Sequence, residues 1–588
     1  MLPAESANQK AVKERHRKPE GEANRNMRRK EDNQSMKCQM QKRTWPGEWG
    51  WLIAAFIGIG AFLLIYGMTP LDVTNDAWIM AGYDETDIIQ HYSGWLAFRN
   101  SDWTFPLGIA SDMAVGQGTC ISYTDSIPWV AIVCKLFRSV LPETFQYFGW
   151  YALLCYVLQG IAAWKILQRK SNNVLYSSVG SVLFVFAPIL MERSLRHTAL
   201  GSQWLILFAI LVWLNHREVP KKRHYLEYLA LLVLAIGIHP YFLPMIAIFL
   251  VLSVMGDLGR KRYDSLLLAI ADLAVTYVTG CVLGVLGSGV QTSRDGYGYY
   301  SMNLNAIYNP TSIGNYTWSS LIKIHPQTLG NYDGFNYLGA GVFAGVLIFL
   351  VLEIVFRSAC RDGIAAGWLR RNALLLIFLV LCTMFAVSNV VTLNDREVLT
   401  IYLPEKILNL CGIFRASSRT FYPVYYCIMI GVFYGIWHYR KRIGIGSAVA
   451  FACLVMFLQL FDLHTCIREK HDRIQGNAEY VSILQEPEMN AVMEDRDVFL
   501  LDQYYDGVRM LSIPALKHHM KLYFSTANSG SYEKTGEEAQ RILSVIKDTG
   551  EIGNNLVLTS DWDIAQQYLQ YENIACYERD GAYFLFQK

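Results

Sequence analysis

The stretch Gly82-Tyr83-Asp84-Glu85-Thr86-Asp87-Ile88-Ile89-Gln90-His91-Tyr92-Ser93-Gly94-Trp95 puts carboxylates and an imidazole at helical spacing. Read as a helix, Asp84, Asp87, His91 and Trp95 fall at i, i+3, i+7 and i+11 and share one face. Such a face can take a proton from a hydroxyl. It can also hold a hard divalent cation, and Asp87, His91 and Asp125 are a conceivable ligand set for Mg²⁺ or Mn²⁺, the residues leaving open whether a metal is needed. Asp84, Asp87 and His91 are therefore the candidate catalytic residues. The bland alternative is a solvated amphipathic helix in a loop, where the charges simply meet water.

Cations form a second group. Arg193 and Arg196 lie in Glu192-Arg193-Ser194-Leu195-Arg196-His197, and Arg415 and Arg419 in Phe414-Arg415-Ala416-Ser417-Ser418-Arg419. Guanidinium forks bind phosphate bidentately. Each arginine alone could equally snorkel to ordinary headgroups. His197 and His239 fall at helix ends, where a histidine either titrates or closes a structural hydrogen bond. Asp125, in Thr124-Asp125-Ser126-Ile127-Pro128, supplies another carboxylate or merely an Asx-type turn. Asn303, Asn305 and Asn309 suit either contact with a hydroxyl-rich ligand or further turns.

These groups meet only if the elements around them bring them to one side of a membrane. Hydrophobic residues make up 53% of the 588 and charged residues 17%, with a net charge of +2. Apolar runs recur along most of the chain, and a bilayer core of about 30 Å needs about 20 apolar residues per helix. The composition predicts a polytopic α-helical membrane protein. About eleven spans are expected, near 50–68, 144–167, 175–191, 197–214, 225–239, 241–257, 266–286, 338–356, 372–391, 419–437 and 445–462. Residues 127–138 are too short to cross and carry Lys135 and Arg138, so they read as a juxtamembrane helix.

With that count every basic loop falls inside, from Lys221-Lys222-Arg223 and Arg260-Lys261-Arg262 to Arg440-Lys441-Arg442. Residues 1–49 read as a basic, disordered cytoplasmic tail. Residues 50–462 form the membrane domain, with outside loops at 69–143, 287–337 and 392–418. Residues 463–588 read as an extracytoplasmic α/β domain, with strand-like runs at 498–501 and 556–558 and helix-like runs near 478–493 and 535–548. The twelve cysteines show no zinc spacing, and Cys466 and Cys576 could pair if that domain is outside.

The residues resemble a family. A single span, a long outside loop opening on an acidic motif, two juxtamembrane helices and then many spans resemble the GT-C superfamily of membrane glycosyltransferases. Asp84-Glu85 looks like the acidic pair that opens that loop in protein O-mannosyltransferases and aminoarabinose transferases. Asp87-Ile88-Ile89-Gln90-His91, Gly94-Trp95, Asp125-Ser126-Ile127-Pro128, Arg196-His197, His239-Pro240-Tyr241 and Phe414–Arg419 are similar to motifs of an uncharacterised bacterial GT-C-type family, over about 45–465. The resemblance implies a bacterial inner-membrane enzyme with a cytoplasmic N-terminus. It would move a sugar from a polyprenyl-phosphate donor to an envelope glycan, lipid or protein, with no role for nucleic acid. Glu85, Gln90, Trp95, Asp125, Arg193, Arg196, His197, His239, Asn305, Arg415 and Arg419 are the expected substrate contacts. The rival of another class is a transporter or flippase of lipid-linked sugar, which should place ionisable groups at mid-bilayer; Asp272 and Glu353 are the two that fall there.

Overall fold

A computed structural model describes residues 46–82, 87–286, 296–312, 314–357, 364–482, 487–503, 507–527 and 533–588. Two compact units divide at Trp51 and Leu52. Of the first, residues 46–51 are described and are helical. The tail expected at residues 1–49 therefore lies almost wholly outside the described residues. The second unit, Leu52–Lys588, holds the remaining elements.

Apolar helices dominate. Among the described residues, five are long and apolar enough to cross a membrane: Trp49–Tyr66, Phe148–Ser171, Asp264–Leu283, Ser417–His438 and Ile445–Gly476. Val174–Val185, Phe242–Leu258 and Ala340–Phe356 are apolar but shorter. Several expected spans are interrupted, for local reasons. The helix from Val174 stops at Val185, and Pro188, which cannot donate to a preceding turn, opens a separate six-residue helix, Pro188–Arg193. The expected 197–214 span begins as a 3-10 turn, Thr198–Gly201, and becomes an α-helix only from Trp204. The 127–138 segment is a nine-residue helix, Pro128–Leu136, too short to span. Within the apolar helices, Glu353 accepts a hydrogen bond from the Tyr439 hydroxyl, and Asp272 is buried.

The last long helix runs through to Gly476, so the boundary expected at 462–463 falls inside it. Nine strands are described: β1 Ile109–Ala110, β2 Thr119–Cys120, β3 Val390–Leu393, β4 Arg396–Thr400, β5 Val498–Leu501, β6 Lys521–Leu522, β7 Asn555–Thr559, β8 Ile574–Arg579 and β9 Ala582–Gln587. β5 to β9 form a mixed sheet in the order β6-β5-β7-β9-β8. Its parallel centre, with Val498 opposite Asn555 and Phe499 opposite Leu556, is apolar on both faces, as a sheet covered on both sides must be. Cys466 and Cys576 are both free thiols.

The C-terminal segment docks on the loop after the first long helix. Leu522 N–H donates to Asp112 O at 2.8 Å, and Ala114 N–H to Phe524 O at 3.0 Å. The Val508–Lys517 helix lies against the Asp87–Asn100 helix, where Asn100 Nδ2 donates to Leu516 O at 2.7 Å. This docking brings a distant part of the chain to the candidate site.

Candidate active site

Asp84 and Glu85 lie outside the described residues. Asp87 opens the Asp87–Asn100 helix, in the first turn, where the peptide dipoles favour a carboxylate. Every residue from Ile88 to Phe98 is buried. The helix is therefore a core element, and the solvated alternative does not hold. Burial is enforced at Gly94, where a Cβ would stand 2.0 Å from Thr124 Oγ1. The missing side chain lets the 122–127 turn press onto the helix, and Ser126 Oγ donates to His91 O at 2.7 Å. Asp125 and Ile127 adopt left-handed φ of 55° and 53°, a strained conformation for a β-branched residue.

A cavity of about 820 Å³ opens beside this helix. Of the expected site residues, Asp87, Gln90, Asp125, Arg196, His197, His239, Arg415 and Arg419 line it. The others that are described do not. His91 is fully buried behind the wall, with Nε2 3.7 Å from Asp125 Oδ2. Trp95 is fully buried, and its Nε1–H donates to Phe145 O at 2.9 Å. Asn305 donates to Asn394 Oδ1 at 2.9 Å within a buried asparagine network. Arg193 is 1% exposed and serves Asp333. These four hold the walls in place.

Two carboxylates each receive a histidine N–H, and in each case the tautomer follows from the other ring nitrogen. Arg193, always a donor, reaches His197 Nδ1 at 3.4 Å. His197 must then carry its proton on Nε2, which lies 3.1 Å from Asp87 Oδ2. Likewise Tyr241 N–H donates to His239 Nδ1 at 3.2 Å, leaving His239 Nε2–H to face Asp125 Oδ1 at 3.3 Å.

Charge follows from the same contacts. Burial would raise the Asp87 carboxyl, but His197, Arg196, His91 and Arg509 around it hold it below the ordinary value. His197 is itself pushed well below the usual histidine range by burial, with Arg196, Arg193 and Arg419 outweighing the attraction of Asp87. His197 thus meets Asp87 through its Nε2–H, and the permanent cations nearby are Arg509 and Arg196, the latter paired with Glu192. Desolvation would raise the half-buried Asp125 carboxyl too, yet His239 and His91 take it well below the ordinary range.

Residues without a sequence signal complete the site. Asp333 accepts from Arg193 Nη1 at 2.7 Å and from Arg419 Nε at 3.2 Å. Burial opposes its ionisation, but those two guanidiniums, with His197 and Arg196, hold it far below the carboxylate range. Arg509 Nη1, from the C-terminal segment, lies 3.7 Å from Asp87 Oδ1. The Arg419 guanidinium sits 4.9 Å over the Tyr241 ring and that of Arg415 5.8 Å over Tyr300. The only hint in the sequence is the surplus of arginines, since a buried guanidinium demands a carboxylate somewhere.

Among the described residues no group of three or more His, Cys, Asp or Glu is arranged to hold a metal ion. Asp87, His91 and Asp125 do not form a ligand set: Asp87 engages His197, while His91 faces Asp125 from outside the cavity lining.

No curated protein matches the chain in sequence. A solved structure, the archaeal oligosaccharyltransferase AglB from Archaeoglobus fulgidus in complex with an inhibitory peptide and a dolichol-phosphate, is similar over 93% of this chain and 75% of that one, at 13% identity and a TM-score of 0.36. A family model described as Domain of unknown function (DUF6311) matches residues 55–464, and the chain belongs to that family.

Proposed function

We propose that this protein is a membrane glycosyltransferase, moving a sugar from a polyprenyl-phosphate donor to a cell-envelope acceptor at the extracytoplasmic face of the bacterial inner membrane. The observation that carries this reading is the pairing, in one cavity, of an ionised carboxylate with several arginines. Asp87 lines the space together with Arg196, Arg415, Arg419 and Arg509.

Glycosyl transfer makes two demands. The acceptor hydroxyl must lose a proton as its oxygen bonds to the anomeric carbon, a step worth about 10²–10⁴-fold when a positioned base takes it. The bond from that carbon to the phosphate oxygen breaks, and the lipid phosphate leaves with the electron pair, so its charge must be met. Asp87 accepts the proton. Arg196, Arg415 and Arg419 receive the phosphate, and Asp125 orients sugar hydroxyls. Asp84 is the second candidate base. Arg509 makes the C-terminal segment part of the site, which suits a role in acceptor binding. The transport reading asks for ionisable groups along a path through the bilayer, and Glu353 instead meets Tyr439 as helix pairing would.

Mass spectrometry of envelope glycans from cells with and without the protein tests this reading, with Asp87→Asn as a third strain. The expected result is a glycan species that lacks one sugar in the deletion strain and is restored by the wild type. Asp87→Asn should lower its formation about 100-fold while the protein accumulates normally. Identical glycans in all strains would overturn the assignment.

A further inference from the structure

A second cavity, of about 560 Å³, is lined by His216, Arg217, Lys221, Asp257, Arg260 and Arg262. Lys221 begins the 16-residue helix Lys221–Ile236, whose other end, at Ile236, lines the first cavity. At 1.5 Å per residue the two spaces are separated by about 24 Å. The second lies at the end of the bundle that carries the basic loops.

One carboxylate organises it. Asp257 is fully buried. Its Oδ1 lies 3.1 Å from His216 Nε2, 3.7 Å from Arg262 Nη1 and 3.9 Å from Arg260 Nη1. Its Oδ2 accepts from the Tyr225 hydroxyl at 3.2 Å. A tight turn makes this convergence possible. The backbone N–H groups of Arg260 and Arg262 both donate to Asp257 O, at 2.8 and 3.0 Å. Lys261 between them takes a left-handed φ of 62°, which a residue with a Cβ adopts only when its surroundings require it.

A buried carboxylate needs one counter-charge. Here two guanidiniums and an imidazole converge on it, and Arg217 and Lys221 stand on the same wall, Lys221 paired outward with Asp264. The Trp204–Leu214 and Phe242–Leu258 helices end beside this cluster, and their carbonyl termini help to hold cations there. A concave space lined by four permanent positive charges and one carboxylate attracts an anion, and guanidinium forks match phosphate oxygens. Topogenic charge alone accounts for basic residues in a loop. It does not account for a buried aspartate and a strained turn that bring two partly exposed arginines together on the wall of a cavity.

We propose that this basic cavity is a binding site for a phosphate group, carried either by an anionic lipid headgroup or by a free phosphate-bearing solute. The proposal is independent of the chemistry assigned to the first cavity.

The test uses the full-length protein in nanodiscs of equal phosphatidylglycerol and phosphatidylcholine, with native mass spectrometry of the lipid that stays bound. A second arm measures the thermal midpoint in pure phosphatidylcholine nanodiscs with inorganic phosphate against chloride at matched ionic strength. Retention of phosphatidylglycerol over phosphatidylcholine identifies a lipid source, and a phosphate-dependent rise in midpoint identifies a solute. In either arm the preference should fall about tenfold in Arg260→Gln/Arg262→Gln, the order of a lost charge-assisted contact. Arg217→Gln, whose side chain is not among those holding Asp257, should also weaken it, and decides the matter alone if the double variant does not fold. No preference in either arm, or one unchanged in Arg217→Gln, overturns the proposal.

Discussion

His197 Nε2 lies 3.1 Å from Asp87 Oδ2, and its Nδ1 receives Arg193 at 3.4 Å. Because arginine only donates, the histidine must give its single proton to the aspartate. Arg193 in turn is held by Asp333 at 2.7 Å. A chain Asp333–Arg193–His197–Asp87 thus fixes one carboxylate of the cavity from a second that lies outside the motif segments. Buried networks of this kind stand or fall together.

Asp333→Asn should therefore destabilise the protein strongly. It leaves Arg193 and part of Arg419 buried without compensation, at a cost of about 3–5 kcal/mol. The pH dependence has a definite sign. The folded carboxyl is held far below the ordinary range, so its contribution is complete above the unfolded value of about 3.9 and is lost only as pH falls through the folded value. The drop in thermal midpoint in detergent should be the same at pH 7 and pH 5. A midpoint within a degree of wild type would return Asp333 to a minor role.

Much of the lining of the candidate site was legible in the sequence, and the residues that stand elsewhere share a cause. Asp87, Asp125, Arg196, His197, His239, Arg415 and Arg419 all reach the cavity because short motifs place them at helix ends, where local pattern governs position. Trp95, Arg193 and Asn305 have the same residue types as ligand contacts, yet they face partners within the protein. Residue type cannot separate a wall from its lining. Asp333 and Arg509 were invisible, since Arg193 and Asp333 stand 140 positions apart and only the tertiary fold pairs them. The helices were read from composition alone. Composition did not show that Pro188 would interrupt one expected span, or that the Ile445–Gly476 helix would continue past Leu463.

Arg415 and Arg419 should separate under conservative replacement. Arg419 holds both oxygens of Asp333, at 3.2 and 3.3 Å, and a lysine cannot reproduce that fork. Arg419→Lys should lower both the thermal midpoint and donor use. Arg415 lines the cavity over Tyr300, so Arg415→Lys should raise the apparent KM for donor about tenfold, with a smaller loss of midpoint than Arg419→Lys. Equal behaviour of the two variants would refute this division.

Sidedness has a direct readout. Ser560, exposed just after β7, belongs to the segment that delivers Arg509 to the cavity. In intact cells Ser560→Cys should react with a membrane-impermeant maleimide above the wild-type background. Labelling that appears only after lysis would put the sheet and the cavity on the cytoplasmic side, and with them the proposed chemistry.

Arg509 offers the sharpest test of Asp87 as a base. Burial works to raise the Asp87 carboxyl, and the surrounding cations more than offset it. Arg509 is one of those cations, with Nη1 3.7 Å from Asp87 Oδ1. Removing it lessens that offset, so the carboxyl moves upward from its depressed position. The base is active when ionised and is lost as pH falls through its folded value, so the acid limb of kcat/KM against pH should move upward in Arg509→Gln. Arg509→Lys keeps the charge and should restore the limb, although the guanidinium is gone. Asp87→Asn should flatten the same limb, because no carboxylate remains to titrate. If the limb of Arg509→Gln coincides with that of wild type while Asp87→Asn abolishes turnover, Arg509 does not act through Asp87. If all three variants keep the wild-type limb, the titrating base is another residue, and Asp84 is the next to replace.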